Sequence, residues 1–180
     1  LPSSRFRVRQ HVEPLRSLGV EVREHIPRIE KFAPLPFWTD RLSVRWAPHF
    51  YLWQAMKAAS RVPGVAGSWR ADITWLQREM LPARYSLERF LGAPLVFDFD
   101  DAIWLASGKS PAAVSAIARR SAMVLAGNEF LADWLRRYAA EVRIVPTAID
   151  TDRFRPGPEP AADRFVIGWT GSRSSLPYLE

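Results

Sequence analysis

The sequence predicts a doubly wound α/β domain built on a mainly parallel, Rossmann-like sheet, and three observations carry that expectation. Short apolar runs alternate with helix-patterned segments along most of the chain. The connections between them are brief, which implies right-handed crossovers and a sheet covered on both faces. The apolar run Leu95-Val96-Phe97 leads into the carboxylates Asp98, Asp100 and Asp101, and in such sheets ligands sit beyond the carboxyl ends of the strands. With 180 residues and 48% hydrophobic composition the chain can bury a core, but it suits one domain plus part of another.

Taken in order, Phe6, Val8, Val12, Leu15 and Leu18 recur at mostly helical spacing, with Ser3 or Ser4 as N-cap and Gly19 as terminator. Val20 to Ile26 alternates apolar and charged residues as a strand does, before a stretch broken by Pro27, Pro34 and Pro36. Asp40 to Arg61 carries a second helical pattern, and Ile73 and Trp75 mark the next strand. Pro82 suits a helix first turn ahead of Leu87, Phe90 and Leu91, with Gly92 as its end. Leu95 to Phe99 is a strand. Ser110 and Pro111 read as N-cap and first residue of a helix reaching Arg120. Ala122 to Ala126 is strand-length, Asn128 caps a helix to about Ala139, and Val142 to Val145 is another strand. From Pro146 the pattern dissolves into Pro, Gly, Asp and Glu, which places a domain at 1–150, a linker at 151–163 and the start of a second Rossmann-like domain at 164–180. Phe165 to Thr170 is its first strand. A helix at the very front has no strand to cross over from, so the chain is expected to be trimmed there, its first strand missing.

The formal net charge is +6, and the positive charge is nearly all arginine, because lysine occurs only at Lys31, Lys57 and Lys109. Arginine favours planar, bidentate contacts to phosphate or carboxylate, so an anionic partner fits. Solvated helix faces account equally well for pairs such as Arg119 and Arg120. The absence of cysteine excludes a disulfide framework and a thiolate metal site, and fits a cytoplasmic setting. His11, His25 and His49 lack metal-ligand spacing. Trp46, Phe50, Tyr51 and Trp53, flanked by Arg41, Arg45, Lys57 and Arg61, suit either packing on the sheet, the favoured reading, or an interfacial helix on anionic lipid.

The three carboxylates are the sharpest feature. Acids this close repel, so at least one should have a raised pKa unless an arginine or another cation sits among them. Asp98 turned sideways to cap a loop, with Asp101 capping a turn, is the structural alternative. An apolar strand followed by Asp98-x-Asp100 resembles the nucleophile motif of haloacid dehalogenase-type phosphatases, which implies Asp98 as nucleophile and Asp100 as acid/base. That family also places Thr or Val where Ala102 stands here.

A broader resemblance spans nearly the whole chain. Ser3-Ser4-Arg5-Phe6-Arg7-Val8, Trp75-Leu76-Gln77-Arg78-Glu79, Phe97 to Trp104, Gly127 to Ala132, Val145-Pro146-Thr147-Ala148-Ile149-Asp150 and Gly168-Trp169-Thr170-Gly171-Ser172 occur in an order that resembles glycosyltransferase family 4. The resemblance implies GT-B architecture and a sugar moved from a nucleotide donor to a glycan, lipid or small-molecule acceptor. It implies retained configuration, no essential metal and no other cofactor. This chain would supply the acceptor wall and the first residues of the donor domain, and would not catalyse transfer alone. The implied catalytic positions are Asp100 and Asp101, where many members carry His-Asp. Ser4, Arg5, Arg78, Asp98 and Asn128 would line the cleft, and Gly171, Ser172 and Arg173 would approach the donor diphosphate. The setting implied is cytoplasmic, with peripheral contact at the inner membrane face admitted and no nucleic acid partner expected. A non-catalytic anion-binding module remains the alternative from another class.

Overall fold

The computed structural model describes residues 2–35, 48–105, 108, 110–157, 168 and 169. The chain divides into two compact units, Leu1–Ile149 and Asp150–Glu180. In the first, β1 (Thr74–Gln77), β2 (Leu95–Phe99), β3 (Met123–Ala126) and β4 (Val142–Ile144) form one open, all-parallel sheet in the order β1-β2-β3-β4. The protein is therefore α/β and compatible with a Rossmann-like fold. The register sets Gln77 beside Asp98 and Asp98 beside Leu125, which aligns the carboxyl ends of β1, β2 and β3.

The core lies on one face of this sheet. Phe97 and Phe99, separated by the two-residue period of a strand, point to that face with Leu76, Val124 and Ala126. Burying each phenylalanine contributes about 1.5–3 kcal/mol. Against them pack α5 (Ser110–Arg120), through Val114, Ile117 and Ala118, and α6 (Glu129–Leu135), through Leu131, Ala132 and Leu135. Ser110 and Pro111 open α5 as the sequence predicts. Asn128 caps α6, its side-chain oxygen accepting from Leu131 N at 3.0 Å.

The N-terminal segment covers part of the opposite face, as two short helices rather than one. α1 (Pro2–Arg7) and α2 (Val12–Ser17) are separated by a 3-10 turn at Arg9–His11. Pro14 explains the break: its ring would meet the carbonyl one turn earlier in a continuous helix, whereas the first turn of a new helix accepts it. Ser3 and Ser4 are thus inside α1, not caps. Gly19 does terminate α2, at φ +83°, with Gly19 N bonded to Arg16 O and Val20 N to Leu15 O. Phe6, Leu15 and Leu18 of this segment face Trp75, Leu125 and Val145 across a groove of about 270 Å³.

Two expected elements differ. Residues 20–26 form no strand, because a short alternating segment needs a neighbouring strand for its backbone groups and the sheet shows β1 paired only with β2. The segment after Pro82 makes a 3-10 turn at Leu87–Phe90 instead of an α-helix. There the buried Glu88 carboxylate turns back to accept from Met80 N at 2.7 Å and Ser86 N at 2.6 Å, fixing a tight loop. Gly92 follows it because a Cβ there would stand 2.4 Å from Ser68 O.

Two further helices precede β1, α3 (Pro48–Ala59) and α4 (Val62–Ser68). The expected extension of α3 back to Asp40 lies outside the described residues. The expectation that α3 packs its aromatic side on the sheet is corrected: Tyr51, Leu52 and Met56 are exposed, while Lys57 is buried and Arg61 beyond its end is buried too. Lys57 Nζ donates to Lys31 O at 3.2 Å and Arg61 Nε to Met80 O at 2.8 Å, which compensates their burial. Among the described residues no helix is long and apolar enough to cross a membrane.

In the second unit, Asp150 Oδ1 accepts from Asp152 N and Arg153 N at 3.0 and 3.1 Å, a side-chain-closed turn at its start. The strand expected at Phe165 to Thr170 falls mostly outside the described residues, as do Gly171, Ser172 and Arg173.

Candidate functional site

The carboxyl ends of β1, β2 and β3 gather most of the residues the sequence singles out. β1 delivers Gln77 and then Arg78, whose backbone is left-handed at φ 64°. A non-glycine residue there costs about 1–2 kcal/mol, and such strain clusters at binding sites. The strain is held in place by Arg78 N donating to Asp98 O at 2.8 Å. It turns the guanidinium toward the end of β2, where Nη1 meets Asp101 Oδ2 at 2.9 Å. Asp101 remains 60% exposed at its side chain, so this pair contributes little to stability.

Asp98 is a structural anchor in the wall of the groove that Phe6, Leu15 and Leu18 face. It has no exposed surface. Arg7 Nε donates to its Oδ1 at 2.8 Å and Arg7 Nη2 to the same atom, while Trp75 Nε1 donates to Oδ2 at 3.3 Å. Arg7 Nη1 continues to Val145 O at 2.8 Å and Thr147 Oγ1 at 3.1 Å. One arginine therefore ties α1 to β2 and to the segment after β4. Burial pushes the Asp98 carboxyl above its ordinary range, outweighing the hydrogen bond and charge of Arg7 and the bond from Trp75, and Asp100 adds to the rise. A nucleophile must be free to attack, and both oxygens of this buried carboxylate are already bound, Oδ1 by Arg7 and Oδ2 by Trp75.

Asp100 differs in kind. Its Oδ1 is buried and has no hydrogen-bond partner among the described residues. On β1, Gln77 accepts from Ser4 Oγ at 3.0 Å through Oε1 but leaves Nε2 buried without a partner among the described residues, and Arg78 Nε is in the same condition. Buried polar atoms are nearly always satisfied, so these unpaired atoms at the ends of β1 and β2 stand out. The loop after β3 closes against this edge: a Cβ on Gly127 would lie 3.2 Å from Asp100 Cα, so glycine permits the approach.

The remaining expected positions separate. Asn128 is occupied as the α6 cap. Arg5 is exposed on α1, its guanidinium 5.6 Å from the Phe6 ring centre. Arg7 and Gln77 were the residues that pattern reasoning passed over. Their types announce no chemistry, and only tertiary contact shows that Arg7 holds Asp98 and that Gln77, beside Asp98 in the register, accepts from Ser4. Comparison with family models, with curated proteins and with solved structures gives no match to this chain.

Proposed function

We propose that the Leu1–Ile149 unit is the acceptor-side domain of a retaining, nucleotide-sugar-dependent glycosyltransferase of GT-B architecture. The observation that carries this reading is the placing of Gln77, Arg78, Asp100 and Asp101 at the carboxyl edge of a parallel sheet, with Gln77 Nε2, Arg78 Nε and Asp100 Oδ1 buried and unpaired among the described residues. Two donors and a carboxylate oxygen suit hydroxyl groups, which both accept and donate. Asp100 is the residue assigned to meet an acceptor hydroxyl, as general base or as ligand, and Asp101 holds Arg78 over the same edge. Gly171, Ser172 and Arg173 belong to the donor side in this reading. Peripheral membrane contact in a cytoplasmic setting draws support from the outward apolar side of α3.

The test is calorimetric titration of uridine and guanosine diphosphate sugars, with and without magnesium, into a longer chain carrying the second domain and into residues 1–180. Metal-independent binding and sugar transfer by the longer chain, lost in Asp100→Ala, is the expected result. Absence of both binding and transfer across the donor panel overturns the reading.

A further inference from the structure

The arginine excess of the sequence finds a common place in the fold. All strands of a parallel sheet start at one edge, and arginine stands just ahead of each start. Arg70 precedes β1, Arg89 precedes β2, Arg119 and Arg120 precede β3, and Arg136 and Arg137 precede β4. The amino edge is therefore basic, whereas Asp98, Asp100 and Asp101 stand at the carboxyl end of β2.

Contacts join these arginines to exposed aromatic rings. Trp69 Nε1 donates to Phe90 O at 2.8 Å, and the two residues are 70% and 53% exposed. The Arg89 guanidinium lies 5.9 Å from the Phe90 ring centre. Arg120 reaches to both sides of Phe90, its Nε donating to Glu88 O at 3.1 Å and its Nη2 to Leu91 O. Next to it in sequence, Arg119 sits 4.9 Å from the ring centre of Tyr138, in the segment that leads to β4. Because its N–H is already bonded, the Trp69 ring can leave water without stranding a donor.

Carboxylates do little to offset this charge. Glu88 is buried on backbone donors, Glu141 is paired with Arg143 at 2.6 Å, and Glu129 and Asp133 are paired with Arg136. Among the described residues no carboxylate bridges Arg70, Arg89, Arg119, Arg120 or Arg137, and Asp72 is the exposed acid that remains beside them in sequence. Exposed rings set among uncompensated arginines match an anionic bilayer, which takes aromatic rings at its headgroup level and attracts basic residues. Double-stranded nucleic acid presents phosphate to such a surface but no apolar layer for the two rings.

We infer that the amino edge of the sheet is a docking surface for an anionic lipid bilayer, with Trp69 and Phe90 entering the headgroup layer and Arg70, Arg89, Arg119 and Arg120 facing its phosphates. This rests on the reading above only in sharing its membrane contact, which it moves from α3, where Lys57 is buried, to a basic surface; it needs no sugar transfer. Docked this way, the carboxyl edge with Asp100 and Asp101 points away from the bilayer.

Flotation of the full chain with vesicles of equal parts phosphatidylcholine and phosphatidylglycerol, and with phosphatidylcholine alone, tests it. Binding should be confined to the anionic vesicles and should weaken as salt screens the arginines. Arg70→Gln with Arg119→Gln should weaken it about 25-fold, since each basic residue at an anionic leaflet is worth about fivefold. Phe90→Ser, which keeps the backbone acceptor of Trp69, should weaken it about fivefold, and Leu52→Ser on α3 should leave it unchanged. Thermal melts confirm that each variant is folded. Absence of vesicle binding, equal binding to both compositions, or undiminished binding in the edge variants overturns the inference. Loss in Leu52→Ser alone returns the contact to α3, and tighter binding to a DNA duplex through the same arginines assigns the edge to nucleic acid; either result overturns the lipid surface. Vesicle binding without sugar transfer by the longer chain leaves the docking surface standing and overturns the enzymatic reading alone.

Discussion

Replacing Arg7 by methionine should cost the domain a large share of its stability, because it strands a carboxylate with no exposed surface. The pair Arg7–Asp98 is 2% and 1% exposed at its side chains. Removing one partner of such a buried pair costs about 3–5 kcal/mol, whereas removing both charges is often close to neutral. The bonds from Arg7 Nη1 to Val145 O and Thr147 Oγ1 are lost in the same step, adding about 1 kcal/mol each at most and overlapping with the larger effect. Against a total of about 5–15 kcal/mol for a domain, Arg7→Met alone should leave a marginal fold. Arg7→Met combined with Asp98→Leu should recover most of the loss. Urea denaturation followed by circular dichroism measures all four corners of the cycle.

The pH dependence supplies the sign. Burial raises the folded-state pKa of Asp98 above its unfolded value, so the folded state holds the proton to higher pH. Its contribution to stability is greatest below the ordinary carboxylate range and is lost as pH rises through the raised value. Without Arg7, whose hydrogen bond and charge oppose the rise, that value climbs further. The deficit of Arg7→Met should therefore shrink toward about pH 4 and widen toward neutrality. A loss under about 1 kcal/mol, or the same loss at every pH, would refute the reasoning.

Arg78→Gly should leave stability unchanged or raise it by up to about 1 kcal/mol, since glycine relieves the left-handed backbone and the bridge to Asp101 is worth little; urea denaturation measures it. Gly92→Ala should cost about 2–3 kcal/mol by thermal melt, because its Cβ would meet the Ser68 carbonyl at 2.4 Å. Asn128→Ala should cost about 1 kcal/mol by urea denaturation, and Asn128→Asp should restore it.

The strands were the most legible part of this chain. Leu95 to Phe99 reads as a strand because a short segment buried on both sides is apolar but for Asp98, and Ser110-Pro111 and Asn128 announce their helices through local chemistry that needs no tertiary partner. Residues 20–26 misled because alternation states only which side of a strand is apolar, and a strand also requires a neighbour. Glu88 was invisible for a related reason: its carboxylate satisfies backbone donors on both sides of a loop, which no periodicity encodes. At the site, the cluster Asp98, Asp100 and Asp101 was evident, but its division of labour was not. Asp98 shares the core-side residues' burial and finds Arg7, ninety-one positions away, whereas Asp100 Oδ1 has no partner among the described residues. That distinction depends on long-range packing.

The Arg7 anchor also sets an order of events during synthesis. Arg7 is made before every group it binds: Asp98 follows by 91 residues and Val145 by 138. At about 5–20 residues per second its last acceptor emerges roughly 7–28 s after the arginine itself. Until Asp98 is made, Arg7 lacks its carboxylate, and until Val145 and Thr147 are made it lacks the rest of its acceptors. The arginine of α1 can therefore complete its contacts only after all four strands of the sheet have been made.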